Sequence, residues 1–158
     1  MQEPPDHVHL GGLVRLILSE QFPGEPTSVS LARRFVRRAC DALGEDPEIA
    51  MLLVSEAATN AVVHAETPFR VTVVALVSRP MWIEVQDGSP KRPKRRTAKP
   101  VDDGGRGLEL IEALSASWHD DVDEASGSKI ICFTPKGDQK DESGTQGDPA
   151  SRLTALAS

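Results

Sequence analysis

Cysteine is scarce. The 158 residues hold two, Cys40 and Cys132, far apart and in apolar settings, so neither a disulfide framework nor a cysteine-ligated metal site can be built, and both read as reduced packing residues. No apolar run approaches the roughly 20 residues of a membrane span. The acidic, proline-containing start Met1–Asp6 lacks the charged-then-apolar layout of a signal peptide. A cytoplasmic protein with no membrane partner is therefore expected. Internal repeats are absent, and so is an evenly spread positive face. The formal charge is −6, yet Lys91, Arg92, Lys94, Arg95, Arg96 and Lys99 crowd six cations into nine residues, which leaves −12 on the remainder (−6 less six positive charges). A general nucleic-acid binder spreads its charge along a face, so direct nucleic-acid binding is not expected; one basic loop on an acidic body suits a local anionic ligand or an acidic partner surface.

A chain of this length buries roughly 70% of its unfolded surface and can form one domain with a core. We place that domain at 13–135, after a flexible N-terminus of residues 1–12 and before a Gly, Ser, Asp and Gln-rich tail, 136–158, expected to be disordered. Leu13 to Phe22 reads as a strand ending at Pro23-Gly24. A helix follows, capped by Thr27 or Ser28 and stopped at Gly44, with Leu31, Phe35, Cys40 and Leu43 as its apolar side and Arg33, Arg34, Arg37 and Arg38 facing outward. Asp46-Pro47 opens a second helix running to about Ala65. Val71–Val77 and Met81–Gln86 are β-rich runs joined by a turn at Ser78-Arg79-Pro80, Pro90 to Pro100 is a loop, Leu108 to Leu114 a short helix, and Ser117–Asp121 with Lys129–Thr134 a closing hairpin. The order β, α, α, β, β, α, β, β predicts an α+β fold. Its form is a two-layer α/β sandwich, with helices on one face of a mixed, mainly antiparallel sheet.

On the second helix, Ala50, Met51, Val54, Ala57, Ala58, Ala61 and Val62 share the core side at 100° per residue. Glu56, Asn60 and His64, spaced i, i+4, i+8, form a polar line on the opposite side among Ile49, Leu52, Leu53 and Val63. A carboxylate and an amide among large aliphatics suggest a pocket wall that wants a polar ligand. In the strand ending at Asp87, alternation aims that aspartate the same way as Met81, Ile83 and Val85. An acceptor-only carboxylate there suits an exocyclic amine, although Asp-Gly also begins turns. Farther on, Asp103-Gly104-Gly105-Arg106-Gly107-Leu108 leads into a helix, so bare backbone amides, the positive helix end and the Arg106 cation can converge on phosphate oxygens.

Taken in order, Glu56-Ala-Ala-Thr-Asn60-Ala-Val-Val-His64-Ala, Asp87-Gly88-Ser89-Pro90 and Gly104-Gly105-Arg106-Gly107-Leu108 resemble the N, G1 and G2 boxes of the histidine-kinase-like (GHKL) ATPase superfamily. The branch they resemble most is that of the anti-sigma-factor serine kinases and their actinobacterial relatives. The resemblance runs from about Phe22 to Phe133. It implies a Bergerat-type ATPase fold and Mg-ATP as cofactor. Asn60 would hold Mg²⁺ and Glu56 would act as general base. Asp87 and Gly88 would meet adenine, and Gly104, Gly105, Arg106, Gly107 and Leu108 would line the phosphate side. It also implies an anti-anti-sigma protein as phosphorylation substrate, a sigma factor as the sequestered partner, and a homodimer. His64 matches the motif and reads as structural. The pattern departs at Ser89 and Lys91, where the family carries glycines, and this bears on affinity for ATP. The alternative function is a non-catalytic nucleotide-binding module that regulates transcription through protein contacts.

Overall fold

The computed structural model of the chain describes residues 13–89 and 107–137. The basic loop 91–99, Gly104, Gly105, Arg106, the N-terminus 1–12 and the tail beyond residue 137 lie outside the described residues. The elements are β1 (Val14–Phe22), α1 (Thr27–Leu43), α2 (Glu48–Asn60) followed by a π-helical turn (Ala61–Ala65), β2 (Phe69–Leu76), β3 (Arg79–Asp87), α3 (Gly107–Leu114), β4 (Ser115–Asp123) and β5 (Ser128–Pro135). Among the described residues no helix is long and apolar enough to cross a membrane.

The five strands form one sheet in the order β1-β2-β3-β5-β4. The fold is α+β as expected, and the sheet, expected to be mixed and mainly antiparallel, is antiparallel at each of its four pairings. Period-2 alternation sends Phe69, Val71 and Val73 of β2, Ile83 and Val85 of β3, and Ile131 and Phe133 of β5 to the helix side, where all are buried. Helix α1 meets them with Ala32, Phe35, Val36, Ala39 and Cys40, and α2 with Ala50, Leu53, Val54, Ala57 and Ala58, spacings of three and four that make one stripe per helix. Phe22 ties the layers together, stacked on Phe69 at 5.4 Å and edge-on to Phe35 at 6.1 Å. Burying each such ring contributes about 1.5–3 kcal/mol. The opposite face of the sheet carries cross-strand polar pairs, Ser19 with Thr72 at 2.9 Å and Arg70 with Gln21 at 2.9 Å. They flank an apolar row of Ile17, Val74 and Trp82.

Several local expectations are corrected. Neither Thr27 nor Ser28 caps α1; the helix starts behind Pro26 with no side-chain cap, and Ser28 is buried instead. Its other end is as expected, with Gly44 left-handed at φ 70° and the amides of Gly44 and Glu45 returning to Asp41 and Cys40 in a Schellman arrangement. Asp46 does cap α2, accepting from the Glu48 amide at 2.9 Å. Leu53, expected on the polar side of α2, is fully buried, because that side is narrower than the 100° projection drew it. Hairpin β2–β3 turns at Val77-Ser78, one residue earlier than expected, so that Arg79 and Pro80, expected in the turn, open the strand β3.

Candidate functional site

Helix α2 ends at Asn60, and the chain does not leave it as a plain α-helix. Ala61–Ala65 widen into a single π turn, closed by the Glu66 amide on the Ala61 carbonyl at 3.0 Å, with Glu66 itself left-handed at φ 54°. A π turn holds one residue more than an α turn and re-aims the side chains around it. Glu56 and Asn60 precede it and stay half-buried, whereas His64 lies within it and is exposed. The three residues therefore do not form one wall: two face inward and the third does not.

Gly107, the first residue of α3, closes against that pair. A Cβ at Gly107 would sit 2.9 Å from Glu56 Oε2 and 3.9 Å from Asn60 Oδ1, so the start of α3 lies against the two polar side chains. Burial pushes the Glu56 carboxyl above its ordinary pKa, since a desolvated carboxylate holds its proton more tightly. Leu108 is buried behind Gly107. The N-terminal end of α3 thus faces a carboxylate and an amide.

Asp87 ends the helix-side row of β3 and is 4% exposed. One oxygen, Oδ1, accepts from the Ser89 amide at 2.8 Å, an Asx turn; the other, Oδ2, accepts from Lys129 Nζ at 3.1 Å. The turn reading and the inward-facing reading of Asp87 are both met, one by each oxygen. Lys129 stands directly opposite on β5 and was not singled out from the sequence. It lies in phase with Ile131 and Phe133, a lone cation on a buried row, which is the signal that could have found it. The amide of Gly88 donates to Thr67 Oγ1 at 2.9 Å. Thr67 is a second residue missed: its carbonyl lies 2.6 Å from where a Cβ on Gly24 would be, so three loops meet at it.

Two clusters of candidate residues are therefore held on one framework: Glu56, Asn60 and Gly107 at the α2–α3 contact, and Asp87, Gly88 and Lys129 at the β3–β5 pairing. The profile of the histidine kinase-like ATPase domain matches residues 22–134. The chain belongs to that family. Among solved structures this ATPase domain is similar to the RsbU and RsbW domains of the Mycobacterium tuberculosis protein Rv1364c, with a TM-score of 0.60 and 16% identity. That likeness covers 77% of this chain and 32% of the other, so the chain spans about a third of the length of that protein, and the likeness is one of fold. No curated protein sequence matches.

Proposed function

We propose that this histidine kinase-like ATPase domain is a Mg-ATP-dependent protein serine kinase that acts as a cytoplasmic anti-sigma factor, phosphorylating an anti-anti-sigma partner and sequestering a sigma factor. The observation that carries the reading is the convergence of Glu56, Asn60 and Gly107, with the start of α3 lying against both polar side chains. The residues fit the group the family implies. Mg²⁺ is usually bound through one or two protein oxygens plus phosphates, not by a full protein cage. Asn60 offers one such oxygen, and among the described residues no cluster of three or more His, Cys, Asp or Glu offers a cage.

When bound, Mg-ATP supplies the phosphoryl group and the divalent charge that offsets its oxygens. Asn60 is the residue that would hold the metal, Gly107 and the run before it would receive the phosphates, and Asp87 would orient the base. Glu56 Oε2 takes the proton from the incoming serine hydroxyl, and its raised pKa makes it a better base than an exposed glutamate. A non-catalytic module is the second reading, favoured by Gly88, whose amide is already committed to Thr67, and by Ser89 at a position where the family carries glycine. The two are separated by incubating the purified chain with Mg²⁺, γ-labelled ATP and a small anti-anti-sigma protein. Label on a serine of that protein, lost by about 10²-fold or more in Glu56→Gln with ATP binding kept, is the expected result. Binding without transfer in the unsubstituted chain selects the module.

A further inference from the structure

The backbone ladder between β2 and β3 ends at the pair Phe69–Asp87. The residue before Phe69 is Pro68, which has no N–H to donate, so the ladder does not continue by backbone alone. A side chain takes over: the Gly88 amide donates to Thr67 Oγ1 at 2.9 Å. Gly88 also packs on that side chain, since a Cβ on it would stand 3.3 Å from Thr67 Cβ, Cγ2 and Oγ1 alike. The next amide, that of Ser89, donates to Asp87 Oδ1 at 2.8 Å. Two successive amides of the turn Asp87-Gly88-Ser89 therefore have fixed acceptors, and Thr67 is the one that comes from another part of the chain.

Thr67 is itself held. Its carbonyl lies 2.6 Å from where a Cβ on Gly24 would stand, and it directly follows Glu66, whose amide closes the π turn on the Ala61 carbonyl at 3.0 Å. One hydroxyl thus connects the segment that leaves α2, the helix of Glu56 and Asn60, with the segment that leaves β3, the strand of Asp87. Gly88 is exposed, so water could satisfy its amide nearly as well, and the bond adds little to stability. What it fixes is the direction of the peptide that follows Asp87. We propose that Thr67 is a positioning residue for the nucleotide, acting through Gly88: its hydroxyl sets the geometry of the Asp87-Gly88-Ser89 turn without touching the ligand. This rests on the nucleotide site proposed above and adds to it a residue outside the three sequence motifs.

The test is displacement of a fluorescent ATP analogue from the full chain in Mg²⁺ by ATP, together with melting of the ligand-free chain. Thr67→Val, which keeps the shape and removes the hydroxyl, should weaken ATP by about threefold to tenfold, the range of one net hydrogen bond. Thr67→Ser, which keeps the hydroxyl, should bind ATP within about twofold of the unsubstituted chain. Ligand-free melting should move by no more than about 3 °C in either variant, since water replaces a bond lost at an exposed amide. In phosphoryl transfer the KM for ATP should rise in Thr67→Val while kcat stays within about twofold, because Glu56 and Asn60 are untouched. Should Thr67→Val fail to fold, Thr67→Ala against Thr67→Ser makes the same comparison. An ATP affinity unmoved by Thr67→Val, equal losses in the valine and serine variants, or a loss accompanied by a fall of more than about 5 °C in ligand-free melting shows Thr67 to be packing alone. Each of these overturns the role of Thr67 and leaves the ATP site standing. No binding of ATP by the unsubstituted chain overturns the site itself.

Discussion

Glu56 is a carboxylate that the fold desolvates and then presses against a helix start, and the two effects have opposite consequences for the protein. As a base it gains proton affinity; as a folded residue it is a liability whenever it is charged. Its pKa in the native chain lies above the unfolded value, so the native state binds the proton more tightly, and stability falls as pH rises through that raised pKa. Below the ordinary carboxylate range both states are protonated and the penalty is absent. Melting of Glu56→Gln beside the unsubstituted chain should therefore show the glutamine variant melting higher at pH 8, with the difference shrinking toward pH 4. Phosphoryl transfer should run the other way, falling as pH is lowered through the same raised pKa. A variant that melts lower at pH 8 would show that Glu56 is stabilised as an anion and is no strained base.

At the scale of elements, the helices and strands are held by different kinds of contact, and these were unequally readable. Strand and helix existence followed from period-2 and period-3.6 patterns, which is why β2, β3, β5, α1 and α2 stand close to where the sequence placed them. The row Ile83, Val85, Asp87 was legible for the same reason. Contacts between loops leave no such pattern: Thr67 is an unremarkable residue in the sequence, yet its carbonyl faces Gly24, and its hydroxyl holds Gly88. The α1 start was misjudged because Ser28 has the chemistry of a cap, but the burial of its position took precedence over that chemistry. Gly24→Ala tests the loop junction directly. Its new Cβ would meet a carbonyl oxygen at 2.6 Å, backbone that cannot rotate aside, so we expect a loss of about 1–3 kcal/mol in urea unfolding, as for other overpacked positions. Ala in place of Gly127, where nothing lies within 4 Å, meets no such contact and serves as the control for space, its φ of 68° adding only the backbone penalty.

Over the whole molecule, the antiparallel sheet carries the Asp87–Lys129 end of the candidate site, and the helices packed on one side of it carry the Glu56, Asn60 and Gly107 end. Nucleotide binding should therefore stabilise the domain as a unit. At a concentration a hundred times the dissociation constant the gain is about 2.7 kcal/mol, which in a chain of this size raises the melting temperature by roughly 5–10 °C. A magnesium-dependent upward shift with ATP is the expected outcome, and an unchanged melting curve at millimolar nucleotide would count against the site. The edges of the sheet differ: β4 is studded with His119, Asp120, Asp121 and Asp123, while β1 exposes Val14, Ile17 and Leu18. Charge on the first discourages strand addition there. The π turn at Ala61–Ala65 has a wider consequence. It is one residue of slack inserted between a helix and the sheet that follows, and the wider turn brings the chain once around in five residues where an α-helix takes about four. Excising a single residue from 61–65 would tighten the turn to a regular helix and leave Glu66 and Thr67 near their present azimuth. A one-codon deletion there should therefore lower the melting temperature less than the same deletion inside α2, where every residue that follows is turned by about 100°.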